Sequence, residues 1–190
     1  DKVAKHAGIV REQTQRMTRI IRQLLDFARR GNSERCSADL ASLAKSVLET
    51  LRPLAKEHGI ELVLAREDAA LAYVDPGQLT QVMTNLVMNA IQASPRGGLV
   101  RVGLRPERGA WSLEVSDQGP GIPPELRESV LEPFFTTKEI GEGTGLGLTV
   151  VHGIVSEHGG SLEIDSEPGS GCMIRVLLPL PAEFEGAGHV

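Results

Sequence analysis

The sequence predicts an α+β chain: a two-layer sandwich in which helices cover one face of a sheet, preceded by a long bundle helix. Three observations carry this. From residue 38 onward, helical patterns and strand hairpins are mixed along the chain, an order that favours helices packed on one side of a sheet. Residues 2–30 repeat apolar residues in two offset heptad series, Val3, Val10, Met17 and Leu24 with Ala7, Thr14, Ile21 and Ala28, the seam of a helix packed lengthwise in a bundle. The 190 residues, 41% hydrophobic and 24% charged, suffice for one domain with its own core plus an appendage.

The long helix stops at Gly31-Asn32-Ser33. One helix in water cannot satisfy its seam, so it requires a hairpin partner or a dimer mate. A second helical pattern spans 38–58, with Leu40, Leu43, Ala44, Val47, Leu51 and Leu54 on one face and Gly59 as its stop. Strand patterns follow at 60–65 and 71–74, then a helix at 78–94 that Pro95, Gly97 and Gly98 break. Alternating stretches at 99–104 and 111–115, joined by a polar turn at Arg108-Gly109, read as a hairpin. A Gly- and Pro-rich region covers 117–147, residues 149–158 return to helix, and 162–164 pairs with 173–178 across the glycines at 169–171. The division is therefore a helical segment at 1–32, a sandwich domain at 37–181 and a frayed tail at 182–190.

Composition excludes several classes. No apolar run approaches the ~20 residues of a bilayer-spanning helix. Cys36 and Cys172 lie far apart and form no metal-type pair, so both are read as reduced, which suits a cytoplasmic compartment. Asp1, not Met, opens the chain and no signal-peptide pattern follows it, so the sequence is read as part of something longer. The net charge of −5 divides into +5 over residues 1–30 and −10 over 31–190. The basic segment reads as a solvated helix face. A nucleic-acid surface is disfavoured by an aromatic content of 3%, because single-strand binders use stacking platforms.

Four clusters carry candidate chemistry. Asn85 and Asn89, four apart in Asn-Leu-Val-Met-Asn, leave one face of a helix, where amide oxygens suit a hard cation such as Mg2+. Asp117, in Asp-Gln-Gly-Pro-Gly after a strand, offers a carboxylate able to accept an exocyclic amino proton, with Gly119 and Gly121 leaving the backbone open to close approach. The run Gly141-Glu142-Gly143-Thr144-Gly145-Leu146-Gly147 opens a helix, where free N–H groups and the positive dipole end favour an anion. It is neither a Walker loop nor a Rossmann turn. Glu132-Pro133-Phe134-Phe135-Thr136-Thr137-Lys138 places two aromatics before that loop and a lysine within reach of a phosphate. Each cluster taken alone also fits ordinary structure: polar residues at a helix edge, a tight turn, a flexible loop, a turn over a buried Phe pair.

Together, in this order and spacing, they resemble the ATP-binding domain of bacterial sensor histidine kinases, within the GHKL superfamily shared with DNA gyrase, mismatch-repair ATPases and heat-shock chaperone ATPases. Asn85–Asn89 resembles the N box, Asp117–Gly121 the G1 box, Glu132–Phe135 the F box and Gly143–Gly147 the G2 box; the likeness runs from about residue 38 to 180. The run from Glu132 to Leu148 is most similar to the nitrogen-regulatory type. The resemblance implies a Bergerat-type fold that binds ATP with Mg2+. It implies that Asp117 holds the adenine amino group, Gly119 and Gly121 admit base and ribose, Asn89 ligates Mg2+ and Asn85 supports the same site. Phe135, Gly143, Thr144, Gly145, Leu146 and Gly147 would then line or hinge the phosphate lid, and Lys138 would neutralise the γ-phosphate.

Hydrolytic members of the superfamily carry a Glu base where Asn85 stands, and an amide cannot take a proton. Slow hydrolysis and transfer to an imported nucleophile are the expectation. In the family that nucleophile is a histidine in a His-Glu-Leu-Arg-x-Pro-Leu motif, missing here, since His6 precedes Ala7-Gly8-Ile9. Neither His58, His152, His158 nor His189 fits it better; these read as edge or tail residues. Residues 2–30 instead resemble the second helix of the dimerisation hairpin. The implied partners are an acceptor-histidine helix of the same or a partner subunit, a response regulator receiver domain and a second copy in a homodimer. Other readings are a freestanding ATPase, a nucleotide-binding dimerisation or docking module, and a serine kinase that controls a sigma factor.

Overall fold

The computed structural model describes residues 6–7, 14, 34–65, 70–107, 109–137 and 144–180. The bundle helix expected at 2–30 and the tail at 182–190 lie outside these residues, apart from His6, Ala7 and Thr14. The first element is a strand that the sequence reading missed, β1 (Cys36–Asp39), antiparallel to β3 (Leu71–Val74) in a small separate sheet. Helix α1 therefore begins at Leu40 rather than 38 (Leu40–His58). Asp39 ends the strand and caps the helix, its carboxylate accepting from the N–H groups of Ala41 and Ser42 at 3.1 and 3.3 Å. Gly59 closes α1 in the left-handed conformation, φ 70°.

Strand β2 (Glu61–Leu64) starts the main sheet. Helix α2 (Pro76–Ala93) is capped by Asp75, whose Oδ1 accepts from the Gln78 N–H at 3.0 Å, and Pro76 supplies the pre-set first helical φ. Strands β4 (Leu99–Glu107) and β5 (Ala110–Asp117) form the expected hairpin; β4 begins at Leu99 as the pattern has it and runs on to Glu107, and β5 is longer than its pattern at both ends. Helix α3 (Gly147–Glu157) precedes the hairpin β6 (Ser161–Ser166) and β7 (Cys172–Pro179).

The five-stranded sheet has the order β2-β4-β5-β7-β6, with β2 and β4 parallel and the other pairs antiparallel. Its inward residues, among them Val100, Val102, Leu113, Val115 and Val176, pack under the apolar stripes of all three helices. Leu79, Val82, Met83, Leu86, Val87, Ala90 and Ile91 are all buried on α2, the central helix. On the other sheet face Glu114 is flanked by Arg105 and Arg175, with Glu163 beyond. This is the two-layer α+β arrangement that the sequence predicts. No helix among the described residues is long and apolar enough to cross a membrane.

Candidate functional site

Asp117 is the last residue of β5 and is about half buried. Its Oδ1 accepts the Gly119 N–H at 2.7 Å, a turn that fixes the carboxylate where the strand ends. Burial raises the pKa of this carboxyl above the ordinary aspartate value, and hydrogen bonds from the Gly119 and Cys172 backbones oppose part of that rise. A carboxylate that half-desolvated and still holding free lone pairs is a strong acceptor for an N–H donor from a ligand.

Gly119 and Gly121 have reasons in the chain itself. A Cβ on Gly119 would sit 2.8 Å from the Ala93 carbonyl oxygen, so the loop rests directly on the last turn of α2. Gly121, at φ 73°, would drive a Cβ to 2.1 Å from the Glu167 carbonyl oxygen.

Asn85 and Asn89 lie half-buried on α2, one turn apart, and Ala93 lies one turn further. Across from Asn89 stands Gly147, the first residue of α3: a Cβ there would meet the Asn89 amide nitrogen at 3.5 Å. No side chain caps α3, and Leu146 stands at its N-cap, so backbone N–H groups of its first turn remain available to an anion. Thr144 Oγ1 accepts the Leu146 N–H at 3.4 Å. Helix α2 thus measures out the site. The carboxylate of Asp117 lies against its Ala93 end, Asn89 and the α3 N-terminus lie a turn back, and Asn85 a turn before that, a span of roughly 12 Å from Ala93 to Asn85 at 1.5 Å per residue.

Phe134 and Gly145 meet just ahead of α3. Both have left-handed backbones, φ 67° and 66°, and the Phe134 N–H donates to the Gly145 carbonyl at 3.0 Å. A Cβ on Gly145 would fall 2.3 Å from the Phe134 carbonyl carbon. Phe134 is a rare non-glycine residue in that conformation and is 63% exposed, while Phe135 is half-buried, so the alternative reading of this run as a turn over a buried Phe pair does not hold. Thr149, on α3, donates its hydroxyl to the Leu131 carbonyl at 3.1 Å and holds the preceding turn against the helix. Lys138 and Gly143 lie outside the described residues.

Some residues here were not legible beforehand. Ser166, Arg127 and Cys172 surround the Asp117 loop without any motif signal of their own. His158, read from sequence as an edge residue, is buried at 6% exposure. Its Nε2 accepts the Asp75 N–H at 3.0 Å while Nδ1 donates to the Ile154 carbonyl at 2.9 Å, tying the end of α3 to the start of α2. Burial of a two-sided hydrogen-bonding ring cannot be read from a helix-end position in sequence.

Fold and site together define a class: an α+β sandwich that sets a strand-end carboxylate and an uncapped helix N-terminus along one central helix. The chain belongs to the histidine kinase-, DNA gyrase B-, and HSP90-like ATPase family, whose model matches residues 74–182. Within it, the chain is a catalytic ATP-binding domain of the sensor histidine kinase type. It is 36% identical to the sensor kinase CckA of Brucella abortus over 90% of this chain and 20% of that protein. It is 33% identical to the sensor histidine kinase ZraS of Escherichia coli over 92% of this chain and 37% of that one. The chain therefore spans about a fifth to two fifths of the length of these relatives. Full-length ShkA in complex with AMPPNP superimposes with a TM-score of 0.81 at 26% identity, covering 94% of this chain and 39% of that one. The histidine kinase ThkA in complex with the response regulator protein TrrA gives 0.78 at 25% identity, covering 96% and 53%.

Proposed function

We propose that this chain binds Mg-ATP along α2 and transfers the γ-phosphoryl group to a histidine imidazole on a dimerisation helix, for relay to an aspartate of a response regulator. The observation that carries this is the placement of Asp117, from the end of β5, beside the Ala93 end of α2, with Asn89 and Asn85 one and two turns back along that helix and the α3 N-terminus opposite Asn89. That spacing suits a base at one end and a polyphosphate at the other.

In this reading Asp117 accepts the adenine amino proton, and Gly119 and Gly121 keep the loop thin beside the base and ribose. Leu146, Gly145, Gly147 and Thr144 present the backbone at the start of α3 to the phosphates, together with Gly143, while Phe135 anchors the approach to that loop. Asn89 would hold Mg2+, which would supply neutralisation of the phosphate charge. A single neutral amide oxygen would suit it, because a hard cation of this kind keeps much of its hydration and needs few protein ligands. The described residues contain no cluster of three or more His, Cys, Asp or Glu that would dictate another metal chemistry. Lys138 neutralises the γ-phosphate.

The reaction breaks the bond from the γ-phosphorus to the bridging oxygen, forms a phosphorus–nitrogen bond to the imidazole and releases ADP. The imidazole loses its proton to solvent or a neighbouring base. Asn85 orients the triphosphate and cannot itself activate water, so the γ-phosphoryl group waits for the imported nucleophile.

We assign residues 1–32 to the second helix of a dimerisation hairpin, 37–181 to the catalytic domain and 182–190 to a tail, in a nitrogen-regulatory-type kinase that acts as a homodimer in the cytoplasm. Support comes from the heptad seam and from the run 132–148. The test is γ-labelled ATP incubated with this chain and a separately supplied acceptor helix. Acid-labile, alkali-stable label on the helix is expected. Brisk phosphate release without an acceptor, and no labelled histidine, would favour a freestanding ATPase.

A further inference from the structure

We infer that Ser166 is a positioning residue for nucleotide binding: its hydroxyl clamps the loop that carries Asp117, Gly119 and Gly121 onto the turn between β6 and β7. The inference rests on the reading of Asp117 as the base-binding carboxylate.

Ser166 is the last residue of β6 and is 3% exposed. Across the sheet it pairs with Cys172 on β7, and Cys172 pairs with Asp117 on β5, so the three form one row at the sheet's end. From that row the Ser166 hydroxyl makes two bonds of 2.8 Å. It donates to the Gly171 carbonyl and accepts the Ile122 N–H, the amide next to Gly121. A hydroxyl is suited to this dual task because it donates and accepts at one atom. The Gly169 N–H adds a bond to the Pro120 carbonyl at 2.7 Å, and the Arg127 guanidinium donates to the Ser166 carbonyl.

The fit leaves no slack. A Cβ on Gly171 would come within 2.1 Å of the Asp117 carbonyl oxygen, and one on Gly121 within 2.1 Å of the Glu167 carbonyl oxygen. The two backbones touch, and the hydroxyl holds them in register. Without it, the Ile122 N–H and the Gly171 carbonyl lose their shared partner beneath the loop, and the loop is free to lift from the sheet end. Ser166 lies behind this wall and acts on the ligand only through it.

The experiment compares the full 190-residue chain with Ser166→Ala and Ser166→Thr. Calorimetry with ATP, ADP and AMP is expected to show a loss of about tenfold in affinity for the Ala variant, the order of one hydrogen bond. The factor should be equal for all three nucleotides and unchanged by Mg2+, because the defect lies at the base. The Thr variant, which keeps the hydroxyl, should bind more tightly than the Ala variant. Amide exchange gives a second readout. In ligand-free wild type the Ile122 amide should be protected like those of β5, and in the Ala variant it should lose that protection while Val176 keeps its own. Free exchange at Ile122 in wild type overturns the proposal even if the Ala variant does not fold. Wild-type binding left unchanged in a folded Ala variant overturns it alone. A wild type that binds no adenine nucleotide overturns the reading of Asp117 and the proposal with it.

Discussion

Asp117→Asn separates what this side chain does for the fold from what it does for a ligand. Asp117 Oδ1 is engaged by the Gly119 N–H, and the Cys172 N–H donates to the same carboxylate. An asparagine that keeps its oxygen on Gly119 turns its NH2 toward the remaining donors, including an incoming adenine amino group. The flipped asparagine sets its NH2 against the Gly119 N–H. A hydrogen bond to a charged acceptor is worth about 1.5–3 kcal/mol, roughly a 10- to 150-fold change in Kd, and a donor facing a donor adds to it. An affinity loss of about 100-fold or more for ATP is the expected result.

Stability moves differently. Burial raises the Asp117 carboxyl pKa, so the folded chain holds that proton more tightly than the unfolded chain. The contribution of this group to stability is therefore greatest in acid and falls as pH rises through the raised value. At neutral pH the charge is a cost that asparagine removes, offset by the backbone bond it disturbs. The melting temperature at pH 7 should stay within about 4 °C of wild type, and any relative gain of the variant should shrink toward pH 4. Calorimetric titration with ATP, beside melting curves at both pH values, checks both halves. An unchanged Kd in the folded variant refutes the assignment of Asp117.

Four other outcomes follow from the geometry. Asn89→Ala should abolish the Mg2+-dependent part of ATP binding, leaving titrations with Mg2+ and with EDTA alike. Gly145→Ala forces a left-handed alanine, costing about 1–2 kcal/mol before the collision with Phe134; faster proteolysis within residues 132–146 is expected, with weakened ATP binding. His158→Ala leaves the Asp75 N–H without its partner, removes the ring donor from the Ile154 carbonyl, which keeps the backbone N–H of residue 158, and opens a cavity between α2 and α3; a loss of about 2–4 kcal/mol is expected in denaturant unfolding. Burial, with Asp117 nearby, pushes the Cys172 thiol up to about 11, so alkylation in the native state should be slow at pH 8 and accelerate toward pH 11, while exposed Cys36 is labelled without that barrier.

Much of the site was legible because its chemistry is local in sequence. Two asparagines four apart on a strongly patterned helix, and an acid at a strand's end followed by spaced glycines, announce themselves by spacing. So did the α2 core face and the β4–β5 hairpin. What failed to show depends on distant pairing. Cys36–Asp39 is a strand only because Leu71–Val74 lies beside it, and Asp39 reads equally as a helix start, which it also is. Ser166 and His158 owe their importance to partners 44 and 83 residues away, and nothing near them in the chain marks it. The glycines at 119 and 121 were legible as special positions, but their reason was not: they make room for Ala93 and Glu167 of the chain itself.

The most direct test of the central reading is the crystal structure of this chain soaked with AMPPNP and Mg2+. The adenine amino group is expected against the Asp117 carboxylate and the phosphates between Asn89 and the first turn of α3. A nucleotide held elsewhere, or reversed along α2 with its phosphates at Asp117, would contradict it.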